Sequence, residues 1–377
     1  MTDPSMGADQ HSNPADKSAS PPSPSSPPSP RRIQSVLIAR GALGEIYEPA
    51  WVRALGELGV EVQLFDGHAC TLPGILGRVE RRFLWGPGMV RANRGLIDLV
   101  RRTRPDVTLL YQGHYYPAAT IETLKQHTFV TGCHNDDPFG DRSHLLRYRH
   151  LLPALPHYQG YHVYRRENIA EAQAHGLDRV GLLLPYFIPW LDYPRHLTLQ
   201  QSQRFGCDVV FAGHLEPDHR GACITRAVQR GIDMKVYGGE RFWRRGLPGD
   251  VYAKVGPATL LGVADYRLAI SGAKIATCFF SKWNRDQYTR RSFEIPAMGT
   301  FLLSERTEAM QEMFREGEEA AYFSSPEEFV DKIGYYLQND SQRLRIAEKG
   351  RERVLAQGHD IHSRLKQWLK EVEQWCN

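Results

Sequence analysis

The stretch DQYTRRSFEIPAMGTFLLSE, residues 286–305, predicts a short helix followed by a buried strand. Pro296 lacks a backbone N–H and is tolerated in the first turn of a helix, so the helix should begin near Ser292 or Phe293. Gly299 is suited to end this helix, and the apolar run FLL that follows is typical of a buried strand. The stretch therefore indicates one helix-to-strand unit of an α/β fold.

Two charged side chains of this stretch are candidates for binding a ligand. Arg291 and Glu294 fall at the predicted helix N-terminus, where free backbone N–H groups and the helix dipole favour an anion such as phosphate. Arg291 could bind the phosphate through two hydrogen bonds, and Glu294 could accept from two neighbouring sugar hydroxyls. Asp286 lies eight residues before Glu294 and could reach the same site. The same pattern also fits an ordinary solvated helix end, so both interpretations stay open.

Apolar, β-branched runs alternate with helical patterns throughout the rest of the chain, which predicts two Rossmann-like domains with parallel sheets facing a cleft. The predicted boundaries are 33–187 for an N-terminal domain and 207–360 for a C-terminal domain. Residues 188–206 are predicted to link them, and residues 361–377 to form a final amphipathic helix. Residues 1–32 are rich in Ser and Pro, which predicts a disordered tail.

Composition is that of an ordinary globular enzyme. The 377 residues are 41% hydrophobic and 24% charged, and the formal net charge of +4 is too small to indicate a nucleic-acid partner. Six cysteines without Cys-x-x-Cys spacing predict free intracellular thiols and no zinc site. Neither a membrane-spanning run nor a signal-peptide core is evident, so we expect a cytoplasmic location, with peripheral attachment at the inner membrane face left open.

Residues 78–104 carry the one strong concentration of charge, with eight arginines against Glu80 and Asp98. One interpretation is a docking face for an acidic acceptor or an anionic membrane surface. The other is a solvated helix face on which arginine stems cover apolar surface. The sequence does not separate these two interpretations.

Three segments resemble the spore-maturation-type (CgeB-like) bacterial glycosyltransferases, which belong to the nucleotide-sugar transferases of the GT-B fold. They are the Arg-x-Phe-Glu-x-x-Ala-x-Gly pattern in 291–299, HNDDP at 134–138 and DVVFAGH at 208–214. The resemblance implies a GT-B fold with an acceptor-side domain at 33–187, a donor-binding domain at 207–360 and a final helix that crosses back to the first domain. Asp286 and Glu294 resemble the Glu-x7-Glu pair of the retaining members, with Asp in the first place.

The resemblance also implies roles for particular residues. His134 would border the reacting carbon, and Asp136 or Asp137 could act as a base, although both aspartates could equally cap the turn before Pro138. His214 stands where the family has an arginine, and Arg220 lies near the place of its lysine. The complete expected site is catalytic His134, Asp137 and Asp286 with donor-binding Gly41, Gly213, His214, Arg220, Arg291 and Glu294.

The resulting hypothesis is a glycosyltransferase (hexosyltransferase class) that moves a sugar from a nucleotide-sugar donor to an acceptor hydroxyl. Retention of configuration and catalysis without a metal are implied by the resemblance, and the nucleotide-sugar is a substrate, so no cofactor is expected. Two alternatives remain: a nucleotide-sugar epimerase on the same fold, and a non-catalytic structural or binding protein of this fold.

Overall fold

The computed structural model describes residues 32–40, 46–141 and 145–377. Its strands form two sheets, and every pair of neighbouring strands in them is parallel. Apart from Arg32, the tail predicted at 1–32 lies outside the described residues.

The first sheet has six strands in the order β2-β1-β3-β4-β5-β6. These strands are β1 Ser35–Arg40, β2 Glu61–Asp66, β3 Val107–Tyr111, β4 Phe129–Cys133, β5 Gly160–Val163 and β6 Val180–Leu182. The α-helices between them are α1 Tyr47–Glu57, α2 Gly74–Phe83, α3 Pro87–Thr103, α4 Ala118–Lys125, α5 Leu151–Ala154 and α6 Glu167–Ala174. Short 3-10 turns lie at His68–Cys70, Leu146–Tyr148 and Leu155–His157.

The second sheet has five strands in the order β11-β10-β9-β7-β8. They are β7 Cys207–Ala212, β8 Met234–Tyr237, β9 Ala273–Cys278, β10 Phe301–Glu305 and β11 Ala321–Phe323. The accompanying helices are α7 Leu199–Phe205, α8 Arg220–Gln229, α9 Glu240–Gly246, α10 Gly249–Val255, α11 Val263–Gly272, α12 Arg291–Ala297, α13 Glu308–Met313, α14 Pro326–Gln338, α15 Asp340–Ala356 and α16 Ile361–Cys376. The predicted linker 188–206 thus contains helix α7.

The apolar strands of each sheet are buried on both faces of the sheet. Each sheet therefore has its own hydrophobic core. The final helix α16 leaves the second sheet and packs on α1 beside the first. Trp368 of α16 meets Trp51 of α1 edge-to-face, with ring centroids 5.4 Å apart, and both rings are buried. The predicted return of the last helix to the first domain is therefore confirmed.

Helix α12 differs in one respect from the prediction. It begins at Arg291, so Pro296 lies in its last turn and not in its first. The helix can tolerate this because it ends at Ala297, and the missing N–H of Pro296 costs one hydrogen bond of a seven-residue helix. Gly299 has a φ of 74°, the left-handed conformation that closes a helix, as the sequence predicted.

The carboxyl ends of strands from both sheets open onto one cleft. Asn135 and Asp136 follow β4, Gly213 follows β7 and Gly238 follows β8, and all four residues line the cleft. This is where open α/β sheets bind their ligands. Within the described ranges, no helix is long and apolar enough to cross a bilayer.

Candidate active site

The cleft between the two sheets has a volume of about 560 Å³. One wall comes from the first domain, including Tyr47, Asn135 and Asp136, and the other from the second. Its charged lining consists of Asp136, Glu216, Arg220, Arg267, Asp286, Arg290, Arg291 and Glu294. The cleft thus combines charged side chains of both signs with apolar side chains such as Leu260 and Phe279.

Glu294 is held in a buried ionic network at the base of the cleft. Its Oε1 lies 2.5 Å from Nε of Arg290 and 3.7 Å from Nη2 of Arg267, and its Oε2 accepts a 2.9 Å hydrogen bond from the Tyr266 hydroxyl. Asp192 completes the network through a 2.8 Å ion pair with Arg267. Burial raises the pKa of Glu294 above its ordinary value, against the attraction of Arg290. The network fixes the orientation of the Glu294 carboxyl group.

Arg291 stands beside this network and is differently placed. Its guanidinium lines the cleft, and its buried Nε has no hydrogen-bond partner among the described residues. Within the same part of the chain no carboxylate oxygen lies within 4.0 Å of it, whereas the other three cleft arginines each have one. Burial alone would lower the pKa of Arg291, but Cys278, Tyr266 and Glu294 nearby outweigh burial and raise it. The guanidinium therefore keeps its charge and has an unpaired donor to offer an anion.

The backbone at the start of α12 offers less to an anion than the sequence suggested. The N–H groups of Arg291 and Ser292 donate to the side-chain and backbone oxygens of Thr289, at 3.1 Å each. Those of Phe293 and Glu294 donate to the Arg290 carbonyl. These four N–H groups are thus already satisfied, which leaves the Arg291 side chain as the anion-binding group of this turn.

Arg220 lies at the start of α8, borders the cleft and is almost fully buried. Its Nε donates to Asp218 at 2.9 Å, and Nη1 and Nη2 donate to the carbonyls of His214 and Phe280 at 2.6 and 3.1 Å. The charge of Arg220 is therefore balanced by Asp218, and its hydrogen-bonding capacity is largely used within the protein.

Asp286 faces the cleft from the second domain and forms an ion pair across it with Arg165 of the first domain. Burial outweighs the attraction of Arg165 and raises the pKa of Asp286 to about 6. This carboxyl group changes its charge close to neutral pH. The structure thus brings Asp286 and Glu294, the two carboxylates predicted from their spacing, to one cleft.

The two aspartates of HNDDP lie in different environments. Asp137 is fully buried, does not line the cleft, and forms a 2.6 Å ion pair with Arg285 of the second domain. Burial alone would raise its pKa, but Arg285 and the N–H of Phe139 outweigh burial and hold the pKa below the ordinary value. Asp136 lines the cleft, with Arg147 at 3.1 Å. A base that acts from HNDDP on a molecule in the cleft is therefore Asp136, while Asp137 joins the domains.

His134 is buried at the end of β4, and its Nε2 lies 3.2 Å from Nε2 of His114. Burial lowers the pKa of His134 to about 4, so the ring is neutral at pH 7. Together with Tyr47, Trp51 and Tyr186, it lines a small apolar pocket of about 40 Å³. Tyr47 and Asn135 line both this pocket and the cleft, so His134 lies next to the cleft.

The remaining donor-binding candidates lie near β1 and β7. Gly213 and His214 line the cleft, and a Cβ on Gly213 would lie 2.7 Å from the Phe211 ring, which explains the glycine. Gly41 lies outside the described residues. The six cysteines all lie in the described ranges, and within these ranges none of them forms a disulfide bond. Among the residues that the structure describes, no cluster of three or more His, Cys, Asp or Glu side chains could hold a metal ion.

Sequence reasoning missed several members of the ionic network, namely Asp192, Tyr266, Arg267 and Arg290. The sequence TRRSFE contains two adjacent arginines, and only Arg291 was predicted to have a role. The other arginine was a signal from which Arg290 could have been found. Asp192 and Arg267 are 75 positions apart, and the sequence has no local signal for their contact.

The whole architecture is similar to that of solved two-domain enzymes. A sucrose-phosphate synthase from Thermosynechococcus elongatus superposes with a TM-score of 0.65 at 13% identity, covering 90% of this chain and 98% of that chain. HepE of Anabaena, in complex with UDP and glucose, gives 0.64 at 10% identity, with 90% and 100% covered. A glycosyltransferase from Rickettsia africae gives 0.63 at 10% identity, with 91% and 98% covered. At these identities the similarity establishes the fold, which is GT-B as predicted.

Residues 220–370 match the protein family described as Glycosyl transferase-like. No curated protein matches the chain. The family match in the second half of the chain, on a GT-B fold, confirms the predicted class of enzyme, a glycosyltransferase.

Proposed function

We propose that the protein transfers a glycosyl group from a nucleoside-diphosphate sugar in the cleft to an acceptor hydroxyl. The observation that supports this most directly is the state of Arg291, a cleft-lining cation whose buried Nε has no partner among the described residues. A diphosphate would supply the missing anion and accept two hydrogen bonds from the guanidinium. As the sugar departs, Arg291 would stabilise the negative charge that develops on the diphosphate.

Glu294 is the proposed ligand of the ribose hydroxyls. Arg290 and Tyr266 hold its carboxyl group at the cleft wall. A carboxylate has about four acceptor positions, so it can accept from ribose while keeping contacts with the protein. In this proposal Arg291 binds the diphosphate, and Glu294, one helical turn further along α12, binds the ribose.

The reacting sugar would lie between the two domains. In the proposed transfer, the bond from the anomeric carbon to the diphosphate oxygen breaks and a bond to the acceptor oxygen forms. Asp136 takes the acceptor proton, Asp286 binds hydroxyls of the sugar, and neutral His134 borders the anomeric carbon. Retention of configuration, and membership of the spore-maturation-type subgroup, are proposed from the Asp286–Glu294 spacing and the HNDDP segment.

A uridine nucleotide is the first donor to test. HepE was solved in complex with UDP-glucose, and MnaA of Staphylococcus aureus in complex with UDP; both share this fold, with TM-scores of 0.61 and 0.55. We also propose that transfer needs no metal ion, because arginines line the cleft where the diphosphate would lie. Addition of EDTA should then leave the rate unchanged.

Thermal unfolding with a panel of UDP-, GDP-, ADP- and CDP-sugars tests donor binding. Stabilisation by one nucleotide class is the expected result, and no stabilisation by any member would contradict the proposal. Product analysis then separates the enzymes that share this fold. Release of the nucleoside diphosphate with a glycosylated acceptor indicates a transferase, whereas conversion of the donor alone to a second nucleotide-sugar would indicate an epimerase.

We propose that the arginine-rich stretch 78–104 contacts the acceptor or the surface that carries it. An acidic acceptor and an anionic membrane surface are both compatible with its charge.

A further inference from the structure

Helix α2 points its apolar face away from the protein. Ile75, Leu76, Val79 and Phe83 are between 47% and 69% exposed. At 3.6 residues per turn they fall within an arc of about 100° on the helix. A surface helix normally turns such a face towards the core, so this orientation needs an explanation.

Buried contacts on the opposite side hold the helix in this orientation. Glu80 is buried and accepts the N–H groups of Leu72 and Gly88 at 2.7 and 2.6 Å. At Gly77 an added Cβ would lie 1.7 Å from the Leu72 carbonyl oxygen, so the helix touches the preceding loop there. Rotating α2 to bury its apolar face would leave these polar groups without partners. The outward apolar face is therefore built into the fold.

An apolar groove continues this surface beyond the end of α2. Trp85 follows the helix and is 73% exposed. Between it and α3 lies a groove of about 520 Å³, lined by Met89, Val90, Ile97 and Tyr115 among others. Trp85 thus lines this groove and lies two positions after the exposed Phe83, the last residue of α2.

Positive charge borders this apolar surface on one side. Arg78 and Arg82 of α2 are exposed and both lie along one side of its apolar arc, and Arg94 of α3 lines the groove. The exposed face of α3 continues with Arg101 and Arg102. Of the two carboxylates in 78–104, Glu80 is buried and used by backbone N–H groups, so the exposed charge is strongly positive.

We propose that α2 and Trp85 dock the protein on an anionic bilayer surface. The apolar arc would enter the boundary between headgroups and acyl chains, Trp85 would lie at the headgroup level, and the arginines would bind lipid phosphates. A second copy of the chain fits this surface less well, because a two-fold contact would bring arginines against arginines.

Two adjacent residues connect the docking surface with the candidate site. Tyr115 lines the groove, and its neighbour His114 lies 3.2 Å from His134. A membrane-bound acceptor would thus reach the cleft close to the surface that holds the protein. Docking does not depend on the proposed transferase chemistry, since it uses none of the donor-binding residues.

Sedimentation of the full-length protein with vesicles tests docking. We expect binding to phosphatidylcholine mixed with phosphatidylglycerol, weakened by salt, and no binding to phosphatidylcholine alone. Leu76→Ser with Phe83→Ser should weaken binding at least about tenfold through lost apolar burial, and Arg78→Glu with Arg82→Glu by a similar factor through lost attraction. Leu344→Ser with Arg345→Glu, at exposed positions of α15, is the matched control and should bind as wild type.

Four results would overturn the proposal: no binding to either vesicle, equal binding to both, unchanged binding by the α2 variants, or capture of a soluble acidic polysaccharide in place of vesicles. Self-association that depends on Phe83 without vesicle binding would assign the surface to a second copy instead. Donor-induced thermal stabilisation, measured in every variant, keeps a failure of docking distinct from a failure of the donor site.

Discussion

Replacing Arg291 with methionine should separate donor binding from folding. The substitution removes a cation that has no carboxylate within 4.0 Å in the described part of the chain and whose buried Nε is unpaired. An unsatisfied buried donor costs about 1–3 kcal/mol, and methionine fills much of the same apolar space without that cost. The unliganded variant is therefore expected to be as stable as wild type or more stable.

The effect on donor binding should be the opposite. Two hydrogen bonds from a guanidinium to a phosphate contribute together about 3 kcal/mol, which is roughly 150-fold in affinity. At a donor concentration of about 100 times the wild-type dissociation constant, wild type gains about 2.7 kcal/mol of stability. The same concentration would be only about 0.6 times the dissociation constant of the variant, so its gain falls to about 0.3 kcal/mol.

The neighbouring substitution Arg290→Met is the control, because Arg290 is the 2.5 Å partner of Glu294. Without Arg290 the buried Glu294 carboxylate keeps only the more distant Arg267 as a counter-charge. Breaking a buried pair typically costs about 3–5 kcal/mol, so this variant should lose stability without any ligand. Urea unfolding and thermal melting with and without donor measure both effects. The argument fails if Arg291→Met destabilises the unliganded protein as much as Arg290→Met does, or if it keeps the full donor effect.

Two further predictions concern the contacts between the domains. Activity at saturating donor should fall as the pH drops below about 6, because burial raises the pKa of Asp286 to about 6 and protonation removes its charge. Asp286→Asn should abolish this fall in activity at acidic pH. An unchanged fall in the variant would exclude Asp286 as its source. Arg285→Ala removes the charged partner of the buried Asp137 and should lower the free energy of unfolding in urea by about 2 kcal/mol. The control Arg166→Ala breaks an exposed ion pair and should cost under about 1 kcal/mol. Equal losses would contradict the difference between a buried and an exposed ion pair.

Parallel strands were predictable because they are buried on both faces and appear as uninterrupted apolar runs. The run 208–214, for example, became β7 at Cys207–Ala212. Apolar character can also continue past the end of strand pairing, as it does after β6, where Leu183 and Leu184 follow the strand. Strand β6 ends at Leu182, shortly before Pro185, which has no N–H to donate to a ladder.

The candidate site was predictable only where one segment carries the information. Arg291 and Glu294 belong to one short helix, and their shared position on the cleft follows from local spacing. Asp137 and Arg285 are 148 positions apart, so their ion pair depends on how two domains meet. The sequence therefore offered Asp136 and Asp137 as equal candidates, and the structure places one in the cleft and buries the other.

The two cleft arginines predicted to bind phosphate also differ in a testable way. Arg220 is balanced by Asp218, and a diphosphate could bind it fully only by displacing that carboxylate and two carbonyl groups. We therefore propose that Arg220 fixes the loops after β7 and β9 and that Arg291 supplies the charge that binds the donor. Arg220→Gln should accordingly lower stability through the uncompensated Asp218, yet change donor affinity by less than about tenfold, in contrast to roughly 150-fold for Arg291→Met. Equal losses of affinity, measured by titration calorimetry, would mean that the diphosphate lies at the start of α8 and displaces Asp218.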